Sequence, residues 1–466
     1  MTPEALTTAV ADRNVRLFVA FRILFNIRFY YPVFMVMFLR YGITLEQFGL
    51  LNAAWAVVIV LLEVPSGALA DLVGRKALLV AAAVMMALEM LLLAIVPVDS
   101  SWVLPALLLN RVLSGAAEAF ASGADEALAF DSLKAAGRDN EWPRVLERLM
   151  QFGGLATIVA MITGSLVYSP DLFNTVGVWL GQSPGLTFAD TFRLPVWLTF
   201  FSACGAIGVT LAMQEPRDEA AAATGRVGLL EPFQQTIRTG GWILANPLVL
   251  VVIAAGVLFD QPIRQLLVVS SQLYARIDIP ELLFGVISAT TAVIGLFAAT
   301  PMRRLATAQS PRANFWLLVA VVTIGLAGTA LLVPWWGVGF FMLLSLSMRL
   351  LMFLQSHYLN QLVDSAHRAT VLSFRGLAVN VSYGLMSLAF AAAVTAVERA
   401  DPDAGQGVAF DRVVQLLPGY FLLLVAGFLF WARQRVGQEQ RLALADGFAV
   451  SPASSSGTHT PSPPSA

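Results

Sequence analysis

Arg111, Glu118 and Asp125 follow one another at intervals of seven in an otherwise apolar stretch. At about 100° per residue, a step of seven drifts only about 20° around a helix, so the three side chains are expected on one face. Gly115 and Ser122 fall on that face as well. An arginine and two carboxylates in file, held in low dielectric, have coupled titrations and can accept and release a proton. The same stripe also suits a structural ion-pair seam packed through small residues. Glu126 and Asp131 continue the acidic run, Asp131 reading as an interfacial or gate charge. Arg28 and Arg264 stand in two other apolar stretches, each near the midpoint. Two guanidiniums facing one space would grip a carboxylate or phosphate in bidentate fashion. Arg264 has Asp260 one turn earlier as an internal partner, whereas Arg28 has no carboxylate three or four residues away. Glu89 has no evident partner either. His357 and His367 read as solvated or capping side chains near a helix end.

The elements that must hold these groups are set by composition. The chain has 466 residues, 58% hydrophobic and 13% charged, against about 25% charged in soluble domains. A helix needs roughly 20 apolar residues to cross a bilayer core. Such runs are expected at 14–40, 46–66, 76–97, 102–130, 149–169 and 191–213, then at 246–273, 281–302, 313–334, 336–359, 369–397 and 412–433. The fold class is therefore an all-α polytopic membrane protein of about twelve transmembrane helices. The expected organisation is a six-helix bundle over 1–213, a linker over 214–245, a second six-helix bundle over 246–436 and a disordered Ser/Pro-rich tail over 437–466. The first dozen residues are polar and mixed in charge, which is unlike a cleavable signal.

Orientation follows from the basic residues. With the N-terminus inside, the inner segments collect Arg13, Arg16, Arg75, Lys76, Lys134, Arg138, Arg144 and Arg148, with Arg303, Arg304, Arg312, Arg433 and others. The outer segments hold Arg40, Arg193, Arg276, Arg399 and Arg412. The bias predicts both termini in the cytoplasm of a cell whose inner (plasma) membrane holds the chain. A near-balanced charge gives no field for a nucleic-acid partner. One cysteine, Cys204, excludes an intrachain disulfide, and with three histidines without metal spacing it argues against an enzyme or any metal or other cofactor.

The two halves look like copies. A shift of 236 lays Phe48-Gly49 on Phe284-Gly285, Pro65 on Pro301, Leu69-Ala70 on Leu305-Ala306, Lys76 on Arg312 and Arg28 on Arg264. A shift of 238 lays Arg111 on Arg349. Parallel six-helix halves are a known transporter plan.

Between the second and third runs stands GALADLVGRKA, Gly67 to Ala77. Its glycines permit a tight turn and its basic pair suits an inner face. Gly67, Asp71, Gly74, Arg75 and Lys76 resemble motif A of the major facilitator superfamily. RVLSG, Arg111 to Gly115, is similar to that family's motif B, whose arginine is implicated in proton coupling. The family's antiporter motif is missing from the fifth run, which reads GGLATIVAMITGSLVY. The resemblance implies that Asp71 latches an inner gate to the start of the eleventh helix, where Arg368 and Arg375 lie. Glu63 would belong to that gate network. It also implies a central cavity lined by helices one, four, seven and ten. Arg28, Arg264, Arg111 and Arg349 would then bind substrate, and Glu118, Asp125 and Arg111 would carry the proton coupling. The expected function is a monomeric secondary transporter of a small solute, proton-coupled, working by alternating access, with an anionic substrate. The alternatives are a drug-efflux proton antiporter and, from another class, a non-transporting sensor.

Overall fold

The computed structural model describes residues 3–182, 185–215, 240–363 and 365–437. Most of the expected linker and nearly all of the tail lie outside these residues. Among the described residues the chain is helical without a strand. Twelve helical segments are long and apolar enough to span a bilayer: Thr7–Leu39, Leu45–Glu63, Arg75–Ile95, Val103–Ala135, Asp139–Tyr168, Phe188–Ala212, Pro247–Val268, Glu281–Ala298, Pro311–Ala330, Gly337–Leu362, Val371–Ala400 and Gly405–Arg435. They are called the first to twelfth spans below. Several run past the apolar stretch from which they were expected. The fifth starts at Asp139 rather than 149 because a short 3-10 turn and then WPRVLER extend it by about two polar α-helical turns. An even number of spans puts residue 7 and residue 435 at one face, here the terminal face; the other is the far face.

Local chemistry sets the ends. Thr44 caps the second span through a reciprocal box with Gln47, which satisfies two orphan amide donors. Ser310 caps the ninth span by accepting from Ala313 N. Gly74 closes the turn between the second and third spans at φ 93°, a conformation that side chains other than glycine resist. Two spans are interrupted. The first is broken between Asn26 and Tyr31. The fourth is broken at Ser122 and Gly123, where Gly123 takes φ 77°. Large apolar side chains such as Phe201, Phe297 and Leu423 face outward as lipid would require, and Trp102 and Trp336 stand exposed at far-face ends.

The six spans of each half pack chiefly on one another, and the halves meet along two seams: second on eleventh, and fifth on eighth. Glycines make both seams. A Cβ on Gly49 would lie 2.5 Å from Ala391 Cβ, and one on Gly285 would lie 1.9 Å from Met161 O. These are the two glycines that the 236-residue shift superposes. At the far face the ends of the first and seventh spans join as well. Ser271 Oγ accepts from Met35 N and Val36 N at 3.0 and 3.1 Å, Ser165 Oγ donates to Leu282 O at 3.0 Å, and Arg40 pairs with Glu281 at 2.8 Å.

Because the approach at Gly285 is backbone to backbone, no rotamer relieves a larger side chain there. Gly285→Val is expected to destabilise the far-face closure by about 1–3 kcal/mol, the usual cost of overpacking. A melt of the purified protein in detergent should show a lowered midpoint, while Gly339→Ala, where a Cβ would meet open space, should leave it unmoved.

Candidate functional site

A cavity of about 400 Å³ lies between the halves, within the range of small-molecule sites. The first span supplies Asn26, Arg28 and Tyr31, the second Trp55, Ile59 and Glu63, and the fourth Glu118 and Ser122. The eleventh span contributes Asn380 from the opposite half. The break in the first span makes this wall possible. Its frayed backbone is held by Thr199 Oγ1, which accepts from Phe29 N at 3.1 Å. Gly164 lets the Phe29 carbonyl approach to where a Cβ would stand 1.7 Å away. Trp55 meets Tyr383 edge-on at 6.2 Å. A second cavity, about 340 Å³, is enclosed by the seventh, ninth, tenth and twelfth spans. Its lining is mostly apolar, carries no carboxylate and belongs to one half, so it cannot be exposed alternately by movement between halves.

The four candidate arginines are not equivalent. Arg28 lines the cavity but is almost wholly buried, and its Nη1 pairs with Glu89 of the third span. Glu89 is therefore the partner that neither residue has within its own helix. Asn110 ties this pair to the fourth span by donating to Glu89 O at 2.8 Å. Arg264 pairs with Asp260 at 2.8 Å, as its spacing suggests, and donates more weakly to Asn380 Oδ1 at 3.4 Å. It reaches the cavity only through that amide. The expected pair of open guanidiniums is thus replaced by two internal ion pairs, because an unmatched cation at this depth is costly. Arg111 also departs from expectation: it does not line the cavity. It is buried, donates to Asn110 Oδ1 at 2.9 and 2.8 Å and sits over the Phe34 and Phe38 rings at 5.3 and 5.2 Å. Its counterpart Arg349 lies against the eighth span, with Cζ 2.9 Å from where a Cβ on Gly295 would be. The central cavity does not include it.

The acidic file is also divided. Arg111 and Glu118 lie on one continuous helix, but the Ser122–Gly123 break separates Asp125 from them. Periodicity cannot be carried through a left-handed residue. Glu118 is exposed to the cavity, whereas Asp125 is buried and pairs with Arg22 Nε at 2.8 Å. Arg22 Nη2 also holds Glu126, at 2.5 Å. Glu63, expected in the gate network, lines the cavity and comes within 3.7 Å of where a Cβ on Gly376 of the eleventh span would stand, with Oε2 buried and without a hydrogen-bond partner among the described residues.

At the terminal face the motif loop makes its own network. Arg75 Nη1 pairs with Asp131 of the fourth span. Glu215, just after the sixth span, accepts from Arg75 N and Lys76 N, both at 2.9 Å, a carboxylate on the positive end of the third span. Next to it Asn14 donates to Ser132 Oγ and Gln214 O. Among the described residues a side chain at Gly67 would meet nothing within 4 Å. The side chains of Asp71 and Arg368 lie outside the described residues, as does that of His367. Sequence reasoning missed Arg22, Asn110, Asn380 and Glu215. Matching charges between spans, rather than within each helix, would have paired the buried arginines with Glu89 and Asp125.

Breaking the Arg28–Glu89 pair from one side strands a buried charge. Glu89→Gln is expected to cost about 3–5 kcal/mol, read as a lowered thermal midpoint in detergent. Arg28→Met combined with Glu89→Leu should recover most of that loss, since no charge is then left unmatched.

The sequence pattern described as Major Facilitator Superfamily matches residues 17–397. No curated protein matches the chain by sequence. Among solved structures it is similar to the nucleoside transporter NupG, with TM-score 0.68 at 13% identity over 90% of this chain and 98% of that one. It is also similar to a bacterial homolog of the human lysosomal transporter Spinster in an inward-facing, occupied conformation, with TM-score 0.61 at 15% identity over 92% and 97%. A D-xylose–proton symporter gives TM-score 0.57 at 13% identity over 89% and 96%. At these identities the likeness speaks for the fold, and the sequence pattern speaks for descent: the chain belongs to the Major Facilitator Superfamily.

Proposed function

We propose that this protein is a secondary transporter that carries a small solute through the cavity between its halves by alternating access, with protons as the coupling ion. The observation that carries this reading is the cavity itself. It takes its wall from both halves, holds polar and ionisable groups, and lies beneath a far face that is closed by contacts between halves. Rocking of the halves about the two glycine seams would open the far face and close the terminal one. The Lys and Arg bias supports a terminal face in the cytoplasm and a far face outside, in the inner membrane. The side chains of Asn26, Glu118 and Ser122 are solvent-exposed, while Met35, Phe38 and Tyr41 near the far face are buried, which fits a cavity open inward.

Glu118 is the coupling carboxylate in this reading. It faces the cavity, has no ion-pair partner among the described residues, and stands on the same helix as Arg111. Asp125 serves as a positioning group for the lower part of the fourth span, since Arg22 and the amide of Glu126 occupy it. Kinship in fold to a D-xylose–proton symporter favours a proton over another ion. A monomer suffices, because both walls of the cavity come from one chain.

Two measurements test the proposal. In proteoliposomes under an imposed pH gradient, a panel of nucleosides, sugars and organic ions is screened for solute-evoked proton movement with an entrapped pH dye. At least one solute should evoke flux, and Glu118→Gln should lower it tenfold or more while the melting midpoint stays put. Absence of flux for every solute class would overturn the reading. Orientation is checked on a Cys204→Ser background carrying Asn26→Cys. An impermeant maleimide should label it in inside-out vesicles and leave it largely unlabelled in right-side-out ones.

A further inference from the structure

We infer that the solute carried through this cavity bears a positive charge, on an organic cation with an aromatic or apolar body. This rests on the transporter reading and deepens it. The argument is a charge balance. Among the described residues Arg28 is the only cation in the cavity wall, and Glu89 matches it from behind. Two further carboxylates line the same space, Glu63 and Glu118, and neither has a cation within ion-pair distance among the described residues. One Glu63 oxygen is buried with no hydrogen-bond donor among the described residues.

The opposite half does not repair the imbalance. Its one group on the cavity wall is the Asn380 amide. Behind it Arg264 is matched by Asp260. Arg375, half-buried one turn before Asn380, stands in the field of that pair and does not line the cavity. Counted over the groups that line it, the wall therefore presents more negative than positive charge to whatever enters, with Arg111 and Arg375 standing behind it, in a site shielded from bulk water where opposite charges attract strongly. An anionic solute would face two carboxylates and a guanidinium already in use. A cationic solute would find both Glu63 and Glu118 together with the Trp55 and Tyr31 rings, whose faces attract cations. The cavity, at about 400 Å³, admits a ring bearing a substituted ammonium group.

The test uses sets of matched compounds that differ in charge: benzylammonium and benzyltrimethylammonium with longer aryl homologues, the corresponding benzoates and benzenesulfonates, and neutral benzyl alcohols. Binding to the purified full-length protein is measured by titration calorimetry and by thermal shift. The expected result is that cations bind at least tenfold tighter than their anionic and neutral counterparts. Glu118→Gln should weaken cation binding by at least tenfold, and Glu63→Gln with Glu118→Gln should remove the preference for charge. The melting midpoints of the ligand-free variants show whether each is folded, and Glu118, being exposed, gives the variant that reports even where the double variant fails to fold. Equal or tighter binding of the anions, binding of no cation above its counterparts, or unchanged cation affinity in Glu118→Gln would overturn the inference. Proton flux evoked by neutral nucleosides or sugars alone would sink it too, while leaving the transporter reading in place.

Discussion

Most charges at membrane depth find an opposite here, and this pairing organises much of the interior of the protein, while Arg111 takes an amide and two ring faces instead. Arg28 cannot reach a carboxylate on its own helix, so the third span brings Glu89 to it. Arg22 takes Asp125 and Glu126 from the fourth span. Arg264 uses Asp260 one turn back. The Arg28 and Arg22 pairs tie the first span to the third and fourth, and removing one member of any of these pairs would leave the other stranded in low dielectric. Once these pairs are formed, the remaining carboxylates at depth are the ones that face open space. The character of the cavity is what is left over when the structural charges have been satisfied.

The same requirement explains why the two halves differ inside while agreeing at their seams. Gly49 and Gly285, equivalent by the 236-residue shift, both allow close approach of the other half. Met35 meets Ser271, which the same shift makes its own counterpart, so the pseudo-twofold axis passes near that contact. Yet the residue that the shift places opposite Glu89 is Gly325. The second half has no cross-helix carboxylate for Arg264, and the arginine falls back on its own span. The proposed rocking would require seams that match, and the glycines at Gly49 and Gly285 match. Binding does not require symmetric walls, and charged side chains from the first half and an amide from the second meet there.

How far the sequence was legible follows from these distances. The spans, the tight turn at Gly74 and the seam glycines are properties of local pattern or of the internal repeat, and all could be read from it. The pairing of Arg28 with Glu89 lies 61 residues apart and depends on which helices become neighbours, so helical spacing could not reveal it. The expected file of Arg111, Glu118 and Asp125 failed for a local reason. Seven-residue spacing keeps a face only along an unbroken helix, and the Ser-Gly pair at 122–123 was the available warning. Arg111 and Arg349 were expected in the cavity because their helices were, but a helix has several faces. Phe34 and Phe38 claim one arginine and the eighth span the other.

The break in the fourth span then acquires a meaning that a continuous helix would not have. Above it, Glu118 faces the cavity on the segment that also carries Arg111 and Asn110. Below it, Asp125 and Glu126 hold the first span, and Asp131 holds Arg75 of the motif loop. The left-handed Gly123 interrupts the hydrogen-bond ladder between these two jobs. A helix so divided can adjust its upper segment to a solute or a proton without straining the ion pairs that fix its lower one. The lower segment, tied to both the first and third spans, moves only when its half moves. Under the proposed mechanism, local response at the cavity and rigid-body movement of the half would thereby be kept on separate segments of a single span.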